Sequence, residues 1–361
     1  MIPGSGGRSA ATPLLCQERK IRASRRSALP IVKEIIKVAV HASQFPATVK
    51  ETLLESLRSR RIAPKFHYQS YKQAQLWLAV HRAFSPACVD PDCETIYDQS
   101  FAAAADQIAE ENVNVTGLGC GSGHKEARLL HLLSKRGQKV SCLPCDVSLP
   151  LLLTAAQHAQ AAFPASPCHP LLCDLSLAAD LREILGEAEA ARIITFFGLI
   201  PNFEPEQILP KLSALTREKD LLLFSANLAP GPDYFMGVQR VLPGYDNPQT
   251  RAWLMAFLED LGAEAGDGAV NFSIEKAGDL LRIAADFRFL RERELIAYDE
   301  RFVFKPGDVV RLFFSYRHTP LTVRRILNAH HLQVIEQWIA KSEEEGVFLC
   351  RKQAGELAKS R

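Results

Sequence analysis

Hydrophobic positions along the chain follow two periods, and the change between them falls near residue 112. Over residues 31–112 the period is helical. Ile31, Val32, Ile35, Ile36 and Ala39 fall on one stripe, and Thr48-Val49-Lys50-Glu51 has the form of a capping box opening the run Leu53, Leu54 and Leu57. ETIYDQSFAAAADQIAEEN predicts one more helix, so this part reads as an all-helical layer. Beyond it, KVSCLPCD, HPLLCDL, ARIITFFGLI and DLLLFSANL read as strands, separated by the helical patterns PLLLTAAQHAQAA, SLAADLREILG and EPEQILPKLSALTR. Alternation at this spacing predicts an α/β fold with a parallel, doubly wound sheet, whose ligands sit at the carboxyl ends of the strands. Those ends carry Gly119, Asp146, Asp174 and Asn202.

The strand VTGLGCGSGHK leads into the helical segment EARLLHLLSKR through four glycines at alternate positions, which lets a ligand lie close to main chain. A glycine turn at a helix N-terminus suits phosphate, but no Lys-Ser or Lys-Thr pair follows and the spacing is not GxGxxG. S-adenosylmethionine is the remaining common user of such a loop. An acid ending the second strand accepts hydrogen bonds from ribose hydroxyls, and Asp174 ending the third meets an adenine amino group. Each acid taken alone also reads as a helix cap or a solvated turn; together they favour a nucleoside. NAD shares the adenosine. The end of the chain separates the two: FSYRHT, TPLTVRRILNAHH, LQVIEQWIA and EGVFLCRK read as strand, helix, strand, strand, and a closing helix before an antiparallel hairpin resembles the end of class I methyltransferases.

Composition adds bounds. At 361 residues and 47% hydrophobic the chain buries a large core, and 43 basic against 41 acidic residues give no electrostatic case for nucleic acid. Nine cysteines form no framework, and no apolar run reaches the ~18 residues of a membrane span. The expectation is a soluble, cytoplasmic protein with reduced thiols and a small-molecule substrate, no nucleic acid or membrane partner, and no metal. Residues 1–30, rich in Gly, Ser, Ala and Arg with Glu18 the only acid, read as a disordered tail, with an organelle transit peptide as the alternative.

GLGCGSGHK, LPCDVS, FFGLIPNFEP, Tyr245-Asp246 and FKPGDVVRLFFSYRHT, in this order between about Val49 and Lys352, resemble the histidine-specific Nα-methyltransferases of ergothioneine biosynthesis and their relatives. The resemblance implies a class I methyltransferase, Rossmann-like sheet with a second, smaller α+β substrate domain. The sheet domain would span 113–230 and resume over 311–353, before a tail at 354–361. The substrate domain would take the helices of 31–112 and the insertion 231–310. It places S-adenosylmethionine on Gly117, Gly119, Gly121, Ser122, Lys125, Asp146, Val147, Asp174 and Leu175. The catalytic positions it implies are Asn202, on the substrate amino group, and Tyr68 in KFHYQS, which with Tyr245 holds the substrate carboxylate. Phe313 and Ser315 would line the side-chain pocket. Residue chemistry agrees, since an amide oxygen orients an N–H while leaving the nitrogen lone pair free, and phenols suit a carboxylate. On chemistry alone, Asn202 also fits as the cap of a helix beginning near Pro205, and the tyrosines as packing residues.

Two departures redirect the substrate. Family members that methylate histidine carry an acid two residues before a serine in the late strand; Phe313 stands there, with Ser315 retained. A tyrosine and arginine motif expected between the N-terminal helices is replaced by SPACVDPDCETIY. An aromatic face in place of an acceptor disfavours imidazole and suits an apolar or aromatic side chain. The expected activity is therefore N-methylation of the α-amino group of such an amino acid. Methylation of another amine, a carboxylate or a thiol, and noncatalytic cofactor binding, stay open. Cys142 and Cys145 form a CxxC, but residues three apart on a strand face opposite ways, so zinc is not expected. His330-His331 reads as a loop and KSEEEG as a solvated hairpin turn, while the aromatics of YFMGVQRVLPGY and AWLMAFLEDLG read mostly as core, with Tyr234, Phe235 and Trp253 the ones able to face the cleft.

Overall fold

The computed structural model describes residues 35–186 and 190–353, all within one compact unit. The expected tails at 1–30 and 354–361, and Ile31 and Val32, lie outside the described residues.

The chain opens with a two-residue strand, β1 (Ala39–Val40), followed by helices α1 (Pro46–Arg58), α2 (Tyr71–Phe84), α3 (Pro86–Val89) and α4 (Pro91–Asp106). Then come β2 (Asn112–Leu118), α5 (His124–Lys135), β3 (Lys139–Asp146), α6 (Leu149–Ala162), β4 (Leu171–Leu172), α7 (Leu181–Leu185), β5 (Ala191–Phe196), α8 (Pro205–Leu215) and β6 (Leu221–Asn227). An inserted segment holds α9 (Tyr234–Val241), α10 (Pro248–Asp260), β7 (Gly268–Ala277), β8 (Leu280–Phe289), β9 (Arg293–Ala297), β10 (Glu300–Phe304) and β11 (Val309–Arg317). The chain closes with α11 (Pro320–Ala329), β12 (Leu332–Ile339) and β13 (Glu345–Lys352).

Among the described residues the main sheet runs β1-β4-β3-β2-β5-β6-β13-β12, parallel through β6, with β13 antiparallel to both neighbours. Successive residues of its strands enter opposite cores, as the two-residue period requires. Ile194, Leu222 and Phe224 pack with α8 and α11, whereas Ile193, Leu221 and Leu223 pack with α4 and α5. A third core joins α1, α10 and the antiparallel sheet β11-β8-β7, with Phe66, Phe257, Phe287 and Phe289 at its centre. This is the α/β class I architecture with a second, smaller α+β lobe.

Three local expectations change. The stripe from Ile31 does not continue as a helix through Ala39; Ala39 and His41 donate backbone hydrogen bonds to Pro170 and Leu172 (2.9 and 3.0 Å), so the segment extends the open edge at β4. Thr48 to Glu51 is not a capping box, because Pro46, already suited to a first turn, starts α1 two residues earlier and Phe45 caps it without a side-chain bond. Reciprocal capping boxes occur instead at Ser70 with Gln73, opening α2, and at Thr319 with Thr322, opening α11. FSYRHT does not join the main sheet: its first four residues form the end of β11 against β8, and His318 bonds to Asn227 and Ala229 at the end of β6. β11 thus runs from one lobe to the other.

Candidate active site

The glycine loop lies between the end of β2 and the start of α5. Gly119, Gly121 and Gly123 all have positive φ (64°, 54° and 73°), which bends the chain back over the strand ends. Two of the three are demanded by packing rather than by an open ligand face. A Cβ on Gly119 would lie 2.1 Å from Leu199 Cδ1, and one on Gly123 2.7 Å from the Ala155 Cβ of α6, whereas one on Gly121 would meet only the Trp77 ring at 3.5 Å. Gly117, still on β2, has Glu126 Cγ at 3.1 Å from the same position. Ser122 accepts from His158 through its carbonyl.

Asp146 ends β3 and is buried. Its carboxylate accepts from the Gly121 and Ser148 amides, both at 2.8 Å, and Val147 N–H also faces it. Burial outweighs these donors and pushes the carboxyl up to about 6. Asp174, beyond β4, takes the Ser176 amide and hydroxyl on Oδ1, while Oδ2 lies 3.3 Å from Lys65 Nζ. Leu175 sends its side chain into the core. These groups fit S-adenosylmethionine: a glycine floor, acids at adjacent strand ends, and a Gly121 amide that is already taken by a carboxylate and closed to a phosphate.

Lys125 directs its side chain onto Tyr97 of α4. Its ammonium donates to Tyr97 OH at 2.9 Å and lies 4.1 Å from the centre of that ring; Tyr97 in turn donates to Glu345 Oε1 at 2.6 Å. Glu345 is buried, which raises its carboxyl. The run KSEEEG is therefore not a solvated turn throughout, because Glu345 begins β13 opposite Asn227 and Tyr97 meets it from α4.

The substrate-side residues meet through a continuous line of rings. Trp77 of α2, above Gly121, packs edge-on to Tyr68 at 5.6 Å; Tyr68 lies 5.5 Å from Trp253, and Trp253 packs edge-on to Phe313 at 5.6 Å. Phe313 reaches Tyr245 at 6.3 Å, and Tyr245 OH shares a hydrogen bond with Ser315 Oγ at 2.9 Å. Burial and then the Asp146 charge push the Tyr68 phenol up, so it remains a donor. Asn202 ends a 3₁₀ turn (Ile200–Asn202) and does not cap α8, whose N-cap is Glu204. Its Nδ2 donates to Phe314 O at 2.9 Å. That bond orients the amide, so Oδ1 is the atom left to accept from an amine.

Several members were not read from the sequence. Arg317 is buried, donates to Tyr245 OH (2.9 Å) and Leu228 O (3.0 Å), and has an Nε unpartnered among the described residues. Trp77 carried no sign beyond a helical pattern, and Lys65 went unread three residues before Tyr68 in KFHYQS. Trp253 joins the ring line as expected, but Tyr234 is tied to the Leu281 amide and Arg317 carbonyl, and Phe235 is 51% exposed. Among the described residues no group of three or more His, Cys, Asp or Glu comes together to hold a metal, and no helix is long and apolar enough to cross a membrane.

Among solved structures the chain is similar to an S-adenosylmethionine-dependent methyltransferase from Clostridium acetobutylicum ATCC 824, with 10% identity over 78% of this chain and 99% of that one and a TM-score of 0.43. It is also similar to magnesium protoporphyrin IX methyltransferase from Synechocystis PCC 6803 with bound SAH (11% identity, 85% and 99% coverage, TM-score 0.41). An amino pentose methyltransferase from Micromonospora echinaspora, bound to SAM, matches at 12% identity with 71% and 92% coverage and a TM-score of 0.33. No curated protein matches the sequence. The model of one family, described as histidine-specific methyltransferase, SAM-dependent, matches residues 94–352, a span that holds the glycine loop, Asp146, Asp174, Asn202, Tyr245, Phe313 and Ser315. The chain therefore belongs to the histidine-specific, SAM-dependent methyltransferase family.

Proposed function

We propose that this methyltransferase N-methylates the α-amino group of an amino acid, or amino-acid-like small molecule, whose side chain is apolar or aromatic rather than imidazole. The observation that carries the reading is Phe313, packed between Trp253 and Tyr245 and two residues from Ser315 on the same face of β11. An aromatic wall binds a side chain through buried area and ring packing, and offers imidazole no acceptor.

S-adenosylmethionine, when bound, supplies an electrophilic methyl group. The protein's part is to present a neutral amine in line with it and to keep water away. Asn202 Oδ1 accepts an amine N–H and leaves the lone pair free. The Tyr245–Ser315 hydroxyl pair, which keeps one proton to donate while the two are bonded to each other, and the buried Arg317 cation behind it suit a carboxylate. Trp77 and Tyr68 cover the loop side of the cleft and exclude solvent.

The test is incubation with S-adenosylmethionine and a panel of free amino acids and biogenic amines, following S-adenosylhomocysteine and product mass. The expected result is methyl addition to an aromatic or large apolar amino acid. Turnover of histidine in preference to these would overturn the reading.

A further inference from the structure

Lys65 faces Asp174 and has no role in the proposed methyl transfer. It lies on the 3₁₀ turn Pro64–His67 and is only 4% exposed, with its ammonium 3.3 Å from Asp174 Oδ2 and 5.6 Å from the centre of the Phe66 ring. Among the described residues Nζ makes no hydrogen bond. A buried ammonium with three donors and a single loose ion-pair contact is expensive to hold, so its remaining donors call for an acceptor. Asp174 is arranged to match. Its Oδ1 is filled by the Ser176 amide and hydroxyl, and its own amide donates to Ser43 Oγ at 2.9 Å, so the position of the carboxylate is set and Oδ2 is the oxygen left over.

The result is a donor and an acceptor side by side beyond the end of β4. An adenine edge offers the complement, an exocyclic amino group beside an accepting ring nitrogen. We propose that Lys65 is a cofactor-binding residue: Nζ donates to a ring nitrogen flanking the adenine amino group while Asp174 Oδ2 accepts from that amino group. The proposal rests on the reading that places adenine at Asp174. It also gives the substrate lobe a direct hold on the cofactor, because the Tyr68 amide donates to the Lys65 carbonyl at 3.0 Å, so the turn that reads adenine carries Tyr68 as well.

The experiment is calorimetric binding of S-adenosylhomocysteine, 5′-methylthioadenosine and the 1-deaza and 7-deaza forms of the latter to the full chain and to Lys65→Met, Lys65→Gln and Asp174→Asn. Lys65→Met is expected to weaken S-adenosylhomocysteine and 5′-methylthioadenosine by the same factor, roughly 10- to 100-fold. Lys65→Gln, which keeps a donor, should lose less. One of the two deaza analogues, lacking the acceptor that Lys65 meets, should bind the full chain and Lys65→Met alike. If Asp174→Asn weakens binding and Lys65→Met does not, the proposal fails while adenine at Asp174 stands. If neither variant changes binding, the placement of adenine fails and the proposal with it. If Lys65→Met weakens every analogue equally, the lysine only shapes the fold and the proposal is overturned.

Discussion

Asp146→Asn tests the cofactor cleft by separating two effects of one buried carboxyl. In the folded protein that carboxyl is pushed from 3.8 up to about 6, chiefly by burial, against the amides of Ser148, Gly121 and Val147. Its folded value lies above its unfolded one, so the folded state holds the proton more tightly and the charged form opposes folding. That opposition is complete above about pH 6 and is relieved as pH falls toward 4. Displacement of about two pK units corresponds to roughly 3 kcal/mol in the limit, of which about 1.4 kcal/mol is relieved between pH 8 and pH 5. Asparagine removes the charge but has one accepting oxygen for the two amides at 2.8 Å, which costs about 1–3 kcal/mol. The variant should thus melt close to the parent at pH 8 and clearly below it at pH 5. With the cofactor's ribose held at Asp146, binding would follow the opposite rule, because its hydroxyls donate to the ionised carboxylate. S-adenosylhomocysteine affinity of the parent should fall as pH drops through 6, and that of Asp146→Asn should be roughly 10- to 100-fold weaker and flat over the same range. Denaturant melts and calorimetric titrations from pH 5 to 8 measure both. Parallel profiles for parent and variant would refute the reasoning, since the titrating group would then lie elsewhere.

Phe313→Glu restores an acid beside Ser315 and removes the ring between Trp253 and Tyr245; kcat/KM for an aromatic amino acid should fall about 10- to 100-fold and histidine should gain measurable methylation, read by product mass in a mixed-substrate assay. Unchanged selectivity in a folded variant would place the side-chain pocket elsewhere. Asn202→Ala removes the bond to Phe314 O and, with it, the acceptor proposed for the amine, so kcat should drop roughly 100-fold with S-adenosylhomocysteine affinity unchanged; a loss confined to KM would argue against amine positioning. Gly119→Ala combines a positive φ with a methyl 2.1 Å from Leu199 and should destabilise the protein by roughly 2–5 kcal/mol, seen as a lowered denaturant midpoint.

Local pattern was enough to read most of the framework. The alternating runs that form β2, β3, β5 and β6, the glycine loop between β2 and α5, and the acid at the end of β3 are all set by residues near one another in sequence, where period and turn chemistry act directly. Contacts between distant segments had no such signature. β1 joins the sheet because β4 leaves an open edge for backbone hydrogen bonds, which a stripe of isoleucines does not announce. β11 pairs with β8 rather than with the main sheet, since its partner lies about thirty residues upstream and either sheet suits its composition. Trp77 over Gly121, Lys65 against Asp174 and Arg317 against Tyr245 each join residues that packing of the two lobes brings together, and burial in that packing is what turns a common side chain into part of a site.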